Sequence, residues 1–325
     1  MSYIKKASMQ STIGNADRSG KLFEVDDQTF RTQFNITSFM VEHHLSGHPL
    51  FEFDRLFQLL KGGKSSIYWD MGDVKVNQRW NEIKAGNLTA DEAFKRIESS
   101  SAWMIFRSIQ RDPDYKALLE RYIAEIEERS GLNFAKYVKV KDAIIFVTSP
   151  RRVATYHIDR ECSFLLQIRG DKTAYVFDKD DRQVIPEEEL ERYWAVDNNA
   201  ATYKEQYQHK AKECLLVPGN GVHIPVGAPH WVKNGDNVSI SLNINVHFHE
   251  FVKANVYRAN YFMRKAGLNP SPPGKSQMTD TVKGSVVGGL TRARRLLQGR
   301  FSQAFMIARG DPPWKGSGGC KADAE

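Results

Sequence analysis

The stretch from residue 143 to residue 246 admits few folds. Segments 143–148, 164–168, 173–177, 213–217, 221–225 and 238–246 are short, apolar and rich in Val, Ile, Phe and Tyr. Turn signals divide them: Arg169-Gly170-Asp171, Asp178-Lys179-Asp180-Asp181, Pro218-Gly219-Asn220-Gly221 and Asn234-Gly235-Asp236. Parallel strands need crossovers of a dozen or more residues, usually helical, and this stretch offers one acidic helical insertion, 186–194. Many short strands without long intervening helices close into an antiparallel double-sheet barrel.

Helical patterns flank this region. Leu50, Phe53, Leu56, Phe57 and Leu60 recur at helical intervals after Pro49, and Lys61-Gly62-Gly63-Lys64 ends the run. Ile67-Tyr68-Trp69 and 102–109 read as strands. Thr89 with Glu92 three residues on is a capping box for a helix reaching about Ile97. Asp112-Pro113 opens a long amphipathic helix with Tyr115, Leu118, Leu119, Tyr122, Ile123 and Ile126 on one stripe. After Phe248 the helical pattern returns through Met263 or Arg264, breaks at Pro270, Pro272, Pro273 and Gly274, and resumes as an Arg-rich helix over 291–305. The expected fold is mainly β: a double-stranded β-helix (jelly roll, cupin-type barrel) with helical N- and C-terminal elaborations. The expected divisions are a flexible N-terminus (1–29), a helical/mixed elaboration packed on the barrel (30–130), the barrel (131–247), basic C-terminal helices (248–309) and a flexible tail (310–325).

Charge separates the body from its end. The net charge is +7, yet residues 251–325 hold 13 Lys+Arg against 4 Asp+Glu, a local +9, so residues 1–250 sum to about −2. Such a basic segment suits nucleic acid, anionic lipid or an acidic protein face, or is simply a solvated helix and a frayed end. No stretch approaches the ~20 apolar residues of a membrane span. Met1 to Gly20 lacks the apolar core of a secretory signal. Cys162, Cys214 and Cys320 form neither a disulfide framework nor a zinc ribbon. The expected location is a reducing cytoplasm.

Within the barrel region stands His157-Ile158-Asp159. On a strand, residues i and i+2 point to one side, so the imidazole and the carboxylate project together. Two imidazoles and a carboxylate on one face hold Fe(II) and leave the opposite face open to substrate and dioxygen. A lone His-x-Asp is weak, and the third ligand must come from a distant strand. His230 lies in such a strand, in Gly221-Val222-His223-Ile224-Pro225-Val226-Gly227-Ala228-Pro229-His230-Trp231-Val232. His223, His247 and His249 compete for the position. His43, His44 and His48 cluster before a helix without a spaced carboxylate or thiolate. Lys172 opens the strand after the one following Asp159. There it would pair with a carboxylate of a small ligand held in the barrel mouth.

The residues Ser149-Pro150, Val153-Ala154-Thr155-Tyr156-His157-Ile158-Asp159-Arg160-Glu161-Cys162-Ser163-Phe164, Gly170-Asp171-Lys172, Pro218-Gly219-Asn220-Gly221-Val222-His223-Ile224-Pro225, Pro229-His230-Trp231-Val232 and Ser239-Ile240-Ser241-Leu242-Asn243 together resemble the cupin-like JmjC group of iron- and 2-oxoglutarate-dependent oxygenases, its asparaginyl hydroxylases and bacterial jumonji-type proteins included. The likeness runs from about residue 34 to about residue 283. It implies that His157, Asp159 and His230 ligate Fe(II), that Lys172 binds the distal carboxylate of 2-oxoglutarate, and that Asn243 lies near the metal-chelating end of that cosubstrate. The implied chemistry consumes O2, converts 2-oxoglutarate to succinate and hydroxylates a prime substrate, a protein or peptide side chain or a small metabolite. Two positions depart from the family: Ala154 stands where Thr is usual and Ser163 where Asn is frequent. Both are supporting contacts to 2-oxoglutarate in relatives, and strand alternation points Thr155 to the side of His157 as a substitute. The resemblance also implies a homodimer through C-terminal helices, whose apolar Val252, Val256, Tyr261 and Phe262 exceed what one barrel edge covers.

Two other classes compete with the oxygenase. A non-catalytic metal-binding cupin with a regulatory or binding role shares the barrel, since fold does not fix function. A metal cupin of another reaction class would bring extra histidines and no inward lysine. No helix-turn-helix signature supports direct DNA reading.

Overall fold

The computed structural model describes residues 21–84, 86–249 and 252–298. The expectations for residues 1–20, for the helix beyond residue 298, for the tail 310–325 and for Cys320 lie outside the described residues. The chain runs β1 (Phe23–Glu24), α1 (Asp27–Gln33), β2 (Phe39–His43), α2 (Phe53–Lys61), β3 (Ser66–Met71), α3 (Ala90–Lys95), β4 (Ala102–Arg107), α4 (Pro113–Ser130), α5 (Phe134–Tyr137) and β5 (Val138–Thr148). It continues with β6 (Val153–His157), β7 (Cys162–Arg169), β8 (Lys172–Val176), α6 (Glu187–Ala195), β9 (Lys212–Leu216), β10 (Asn220–Ile224), β11 (His230–Asn234), β12 (Ser239–Phe248), α7 (Val252–Lys265) and α8 (Gln277–Gln298).

The strands form two antiparallel sheets. The larger has the order β1-β2-β10-β7-β12-β5-β4-β3 and the smaller β6-β11-β8-β9. Strands β5, β12, β7 and β10 face the smaller sheet, which gives the eight-stranded jelly roll expected from the sequence. The N-terminal elements also supply strands, so β2 and β1 lengthen the large sheet beyond β10, and β4 and β3 lengthen it beyond β5.

Alternation on the barrel strands sorts their side chains. On β12, Ile240, Leu242, Ile244 and Val246 enter the core on one face of the large sheet. There they meet the stripe of α4, whose Tyr115, Leu118, Leu119, Tyr122, Ile123 and Ile126 are all buried. Fully burying one such aliphatic side chain contributes about 1.5–3 kcal/mol. The helix is punctuated as its sequence dictates. Asp112 caps its N-terminus, Pro113 takes the first turn, and Gly131 ends it in the left-handed region at φ 69°. A second apolar cluster lies between the sheets, around Leu165, Val176, Leu216, Val222, Ile224 and Val232.

The capping box at Thr89 and the acidic helix α6 form as expected. Strand β4 stops at Arg107 because Ser108 turns left-handed at φ 57°. The last helix differs from expectation. It starts at Gln277 rather than 291, since Gly284, Gly288 and Gly289 weaken the sequence pattern without ending the helix, which packs against α7. Lys283 Nζ also donates to the Ser271 carbonyl at 3.0 Å, fastening α8 to the connection before it.

Candidate metal centre and its cavity

Strand β6 ends at His157 and β11 begins at His230, and the two histidines are directly paired across the strands. Asp159 lies beyond the end of β6, so the expected i, i+2 projection on one continuous strand does not hold. A turn places the carboxylate instead. Gly227, left-handed at φ 73°, donates its amide to the Asp159 carbonyl at 2.9 Å, joining the loop after β6 to the turn before β11. Asp159 Oδ2 then lies 3.7 Å from His157 Nε2 and 3.5 Å from His230 Nε2, and the three ligand atoms fall within 4.8 Å of one another. Bonds of about 2.1 Å at right angles separate neighbouring ligands by roughly 3 Å, so a small side-chain adjustment closes this set on a metal.

Both imidazoles are preset for that task. His157 Nδ1 lies 2.6 Å from the Thr155 carbonyl and His230 Nδ1 lies 2.9 Å from the Ala228 carbonyl. A carbonyl only accepts, so each Nδ1 carries a proton, which in the neutral ring leaves the Nε2 lone pair on the side of Asp159. Burial, and next the neighbouring His157, lower the His230 pKa to about 4 against the pull of Asp159, which keeps it neutral and able to ligate. Two imidazoles oriented by backbone carbonyls, with one carboxylate, fit a divalent transition metal with an open face.

The competing histidines are engaged elsewhere. His223 is fully buried on the opposite face of β10 among Phe34, Phe39 and Phe164. Its Nδ1 meets the Ser163 carbonyl at 3.0 Å and its Nε2 accepts the Asn35 amide at 2.9 Å, so neither nitrogen is left for a metal. His43 bonds the Asn220 carbonyl, His44 pairs with Glu24, and His48 caps the Leu50 amide. His249 lies past β12, where its backbone amide bonds the Tyr137 carbonyl.

The three ligands open into a cavity of about 680 Å³ between the sheets. Lys172 lines it, 5% exposed, in the row Arg152–Asn234–Lys172, in which Arg152 immediately precedes β6 and the other two lie on β11 and β8. Among the described residues no carboxylate or carbonyl bonds its ammonium group, and burial alone pulls its pKa down to about 7. The Lys172 row lies four residues below His230 on β11, about 13 Å along the strand. The lysine stem and the histidine side chains fill part of that span. The remainder suits a short dicarboxylate reaching from metal to ammonium.

Asn243, Thr155 and Ser163 also border the cavity. The alternation argument for Thr155 does not hold, because a bulge interrupts β6. His230 faces His157, but Val232, two residues on, faces Ala154, three residues back. Ala154 therefore shares the inner face with His157 and packs on the aliphatic cluster between the sheets.

The sequence reading missed several cavity residues. Arg152 and Asp70 form a buried ion pair, 5% and 1% exposed, that ties β3 to the barrel. Burial raises the Asp70 pKa, opposed by Arg152. Opposite the ligands, Asp142 holds His247 at 3.0 Å and Glu161 lies 3.7 Å from the other His247 nitrogen. Burial lowers the His247 pKa, but the Asp142 hydrogen bond and the charges of Glu161, Asp142 and Asp159 outweigh it, so the net shift is upward. The alternating Asn243-Ile244-Asn245-Val246-His247 was the available signal for this wall.

A jelly roll with a two-histidine, one-carboxylate cluster at its mouth defines a cupin-type double-stranded β-helix protein. No family model and no curated protein matches the sequence. Solved structures do. The X-ray structure of Escherichia coli YcfD is 13% identical with a TM-score of 0.50, covering 82% of this chain and 68% of that one. A second structure of YcfD, described as a ribosomal oxygenase from Escherichia coli, is 12% identical with a TM-score of 0.46, covering 87% of this chain and 68% of that one. A third, in complex with cobalt and 2-oxoglutarate, is 13% identical with a TM-score of 0.45, covering 82% and 66%. What the YcfD likeness establishes for this chain is the fold.

Proposed function

We propose that this protein is an Fe(II)- and 2-oxoglutarate-dependent oxygenase that hydroxylates a protein or peptide side chain or a small metabolite. The observation that carries the reading is the juxtaposition of the His157–Asp159–His230 cluster with a buried, anion-seeking Lys172 in one cavity. His157, Asp159 and His230 would hold the iron through two Nε2 atoms and a carboxylate oxygen. Lys172 would take the distal carboxylate of 2-oxoglutarate, and Asn243, Thr155 and Ser163 would border the cosubstrate. When bound, iron with 2-oxoglutarate supplies dioxygen activation and oxidative decarboxylation to succinate. The chain's own part is to orient both imidazoles through Thr155 and Ala228, to leave one metal face open, and to exclude bulk water behind apolar walls.

A protein side chain is the favoured prime substrate, in keeping with the ribosomal oxygenase whose fold is similar. A second copy of the chain is the expected partner of the C-terminal helices. Val256 is buried, but Phe262, Leu268, Met278, Val282 and Val286 stay more than half exposed on and between α7 and α8. Among the described residues no helix is long and apolar enough to cross a membrane. A reducing cytoplasm suits Cys162 and Cys214, both buried free thiols.

The test is uncoupled turnover. Purified protein is incubated with Fe(II), ascorbate and labelled 2-oxoglutarate, and succinate and carbon dioxide are measured. Turnover lost in His157→Ala supports the reading. Full iron occupancy without any 2-oxoglutarate binding overturns it.

A further inference from the structure

The cavity wall facing the candidate metal ligands is made by alternation on β12. Asn243, Asn245 and His247 turn to the cavity, while Ile244 and Val246 between them are fully buried in the core. From β5, Asp142 stands directly across from Asn245. A continuous line of side-chain hydrogen bonds joins these groups. Asn243 Nδ2 donates to Asn245 Oδ1 at 2.7 Å, Asn245 Nδ2 donates to Asp142 Oδ1 at 2.7 Å, and His247 Nε2 donates to Asp142 Oδ2 at 3.0 Å.

The line has a direction, and Asp142 sets it. A carboxylate receiving donors on both oxygens is an acceptor only, so Asn245 must turn its NH2 toward Asp142 and its carbonyl away. That carbonyl is again an acceptor only, so Asn243 must turn its NH2 toward Asn245. Asn245 is 1% exposed, and a flipped amide there would set two acceptors against each other at a 2.7 Å separation too short for a bridging molecule. Each amide could be turned over if it stood alone, but the chain anchored on Asp142 leaves one orientation for both. Asn243 is left with its Oδ1 and one N–H for the cavity.

We propose that Asp142 and Asn245 are positioning residues, which fix the Asn243 amide so that its remaining N–H faces the metal-chelating carboxylate of a bound 2-oxo acid. This rests on the oxygenase reading for the identity of the ligand, though not for the direction of the hydrogen-bond chain. The two experimental arms separate those parts.

The first arm uses metal-free protein labelled with 15N-asparagine. The Asn243 side-chain amide is assigned by its loss in Asn243→Ala. In the wild type the proton held by Asn245 Oδ1 exchanges slowly with water. In Asp142→Ala, and equally in Asn245→Val, which fills the space and keeps the strand, exchange accelerates about tenfold or more, as expected for losing a buried hydrogen bond. Unchanged exchange in folded variants overturns the chain. The second arm measures 2-oxoglutarate affinity of Mn(II)-loaded protein by calorimetry. Asn243→Ala and Asn245→Val each weaken binding about fivefold, and the double variant is no weaker than Asn243→Ala alone. Additive losses overturn the positioning role. A wild type with a protected Asn243 amide that takes up no 2-oxoglutarate overturns the oxygenase reading and the ligand given to Asn243, a result distinct from failure of the chain itself.

Discussion

Replacing Lys172 by Met should make the protein more stable while disabling it. Lys172 is 5% exposed, and burial lowers its pKa from 10.5 to about 7. The folded state therefore resists the proton that the unfolded chain accepts freely. That difference amounts to at most about 5 kcal/mol. Relaxation and entering water reduce it, so a gain of about 2 kcal/mol is expected for Lys172→Met, a side chain of similar length without the charge. For a chain of 325 residues that is roughly 3 °C in melting temperature. The direction with pH follows from proton binding. Between pH 7 and 10.5 the unfolded chain holds the Lys172 proton and the folded state does not, so the wild type gains stability as pH rises and the variant lacks this gain. The advantage of Lys172→Met is thus largest below pH 7 and fades above 10.5. Metal content should be unchanged, and 2-oxoglutarate affinity should fall by about 1.5–3 kcal/mol, the contribution of a charge-assisted contact. Denaturant titrations at pH 6.5 and 10 and calorimetry with the Mn(II)-loaded protein measure each part. A variant less stable than wild type, or a gain equal at both pH values, refutes the reasoning.

Four further outcomes follow. His157→Ala should lose bound metal, measured by elemental analysis, without a large change in melting temperature, because the removed imidazole is partly exposed beside the cavity. Asp70→Ala should cost about 3–5 kcal/mol in denaturant unfolding by stranding the Arg152 guanidinium, whereas Asp70→Met with Arg152→Met should restore most of that loss; equal destabilisation by both counts against the buried pair. Metal-free protein should lose stability as pH falls from 6.5 toward 4. His43, His223 and His230 are held at about 4, 3 and 4, so the unfolded chain takes up their protons first; a flat profile refutes this. Val282→Glu on α8 should convert a dimer to a monomer in sedimentation at micromolar concentration with its fold intact, and a wild-type monomer counts against the C-terminal interface.

The barrel was legible because its strands alternate and its turns carry Gly, Asp and Asn. The stripe of α4 was legible because 18 residues give the helical period room to repeat. Residues 277–290 of α8 were not, because helix packing overrides the weak propensity of Gly284, Gly288 and Gly289. For the candidate site, the sequence led to His157, Asp159, His230 and Lys172 through spacing and resemblance. The means by which they meet was hidden. Asp159 is placed by a long-range bond to Gly227, and the bulge that brings Ala154 onto the inner face depends on pairing between β6 and β11. Asp142 and Asp70 were missed because each acquires its role only from a partner about 100 or 82 positions away.

The larger sheet has a practical outcome for anyone trimming this protein. Strands drawn from the first 107 residues are woven onto both flanks of the barrel wall, β2 beside β10 and β4 beside β5. A fragment beginning near residue 131 would keep every candidate ligand yet present two raw backbone margins, each with unpaired amides and carbonyls ready to recruit a neighbour. Such a fragment is expected to self-associate through those margins, so the stretch that holds the candidate ligands and the stretch that covers its own sheet edges are not the same length of chain.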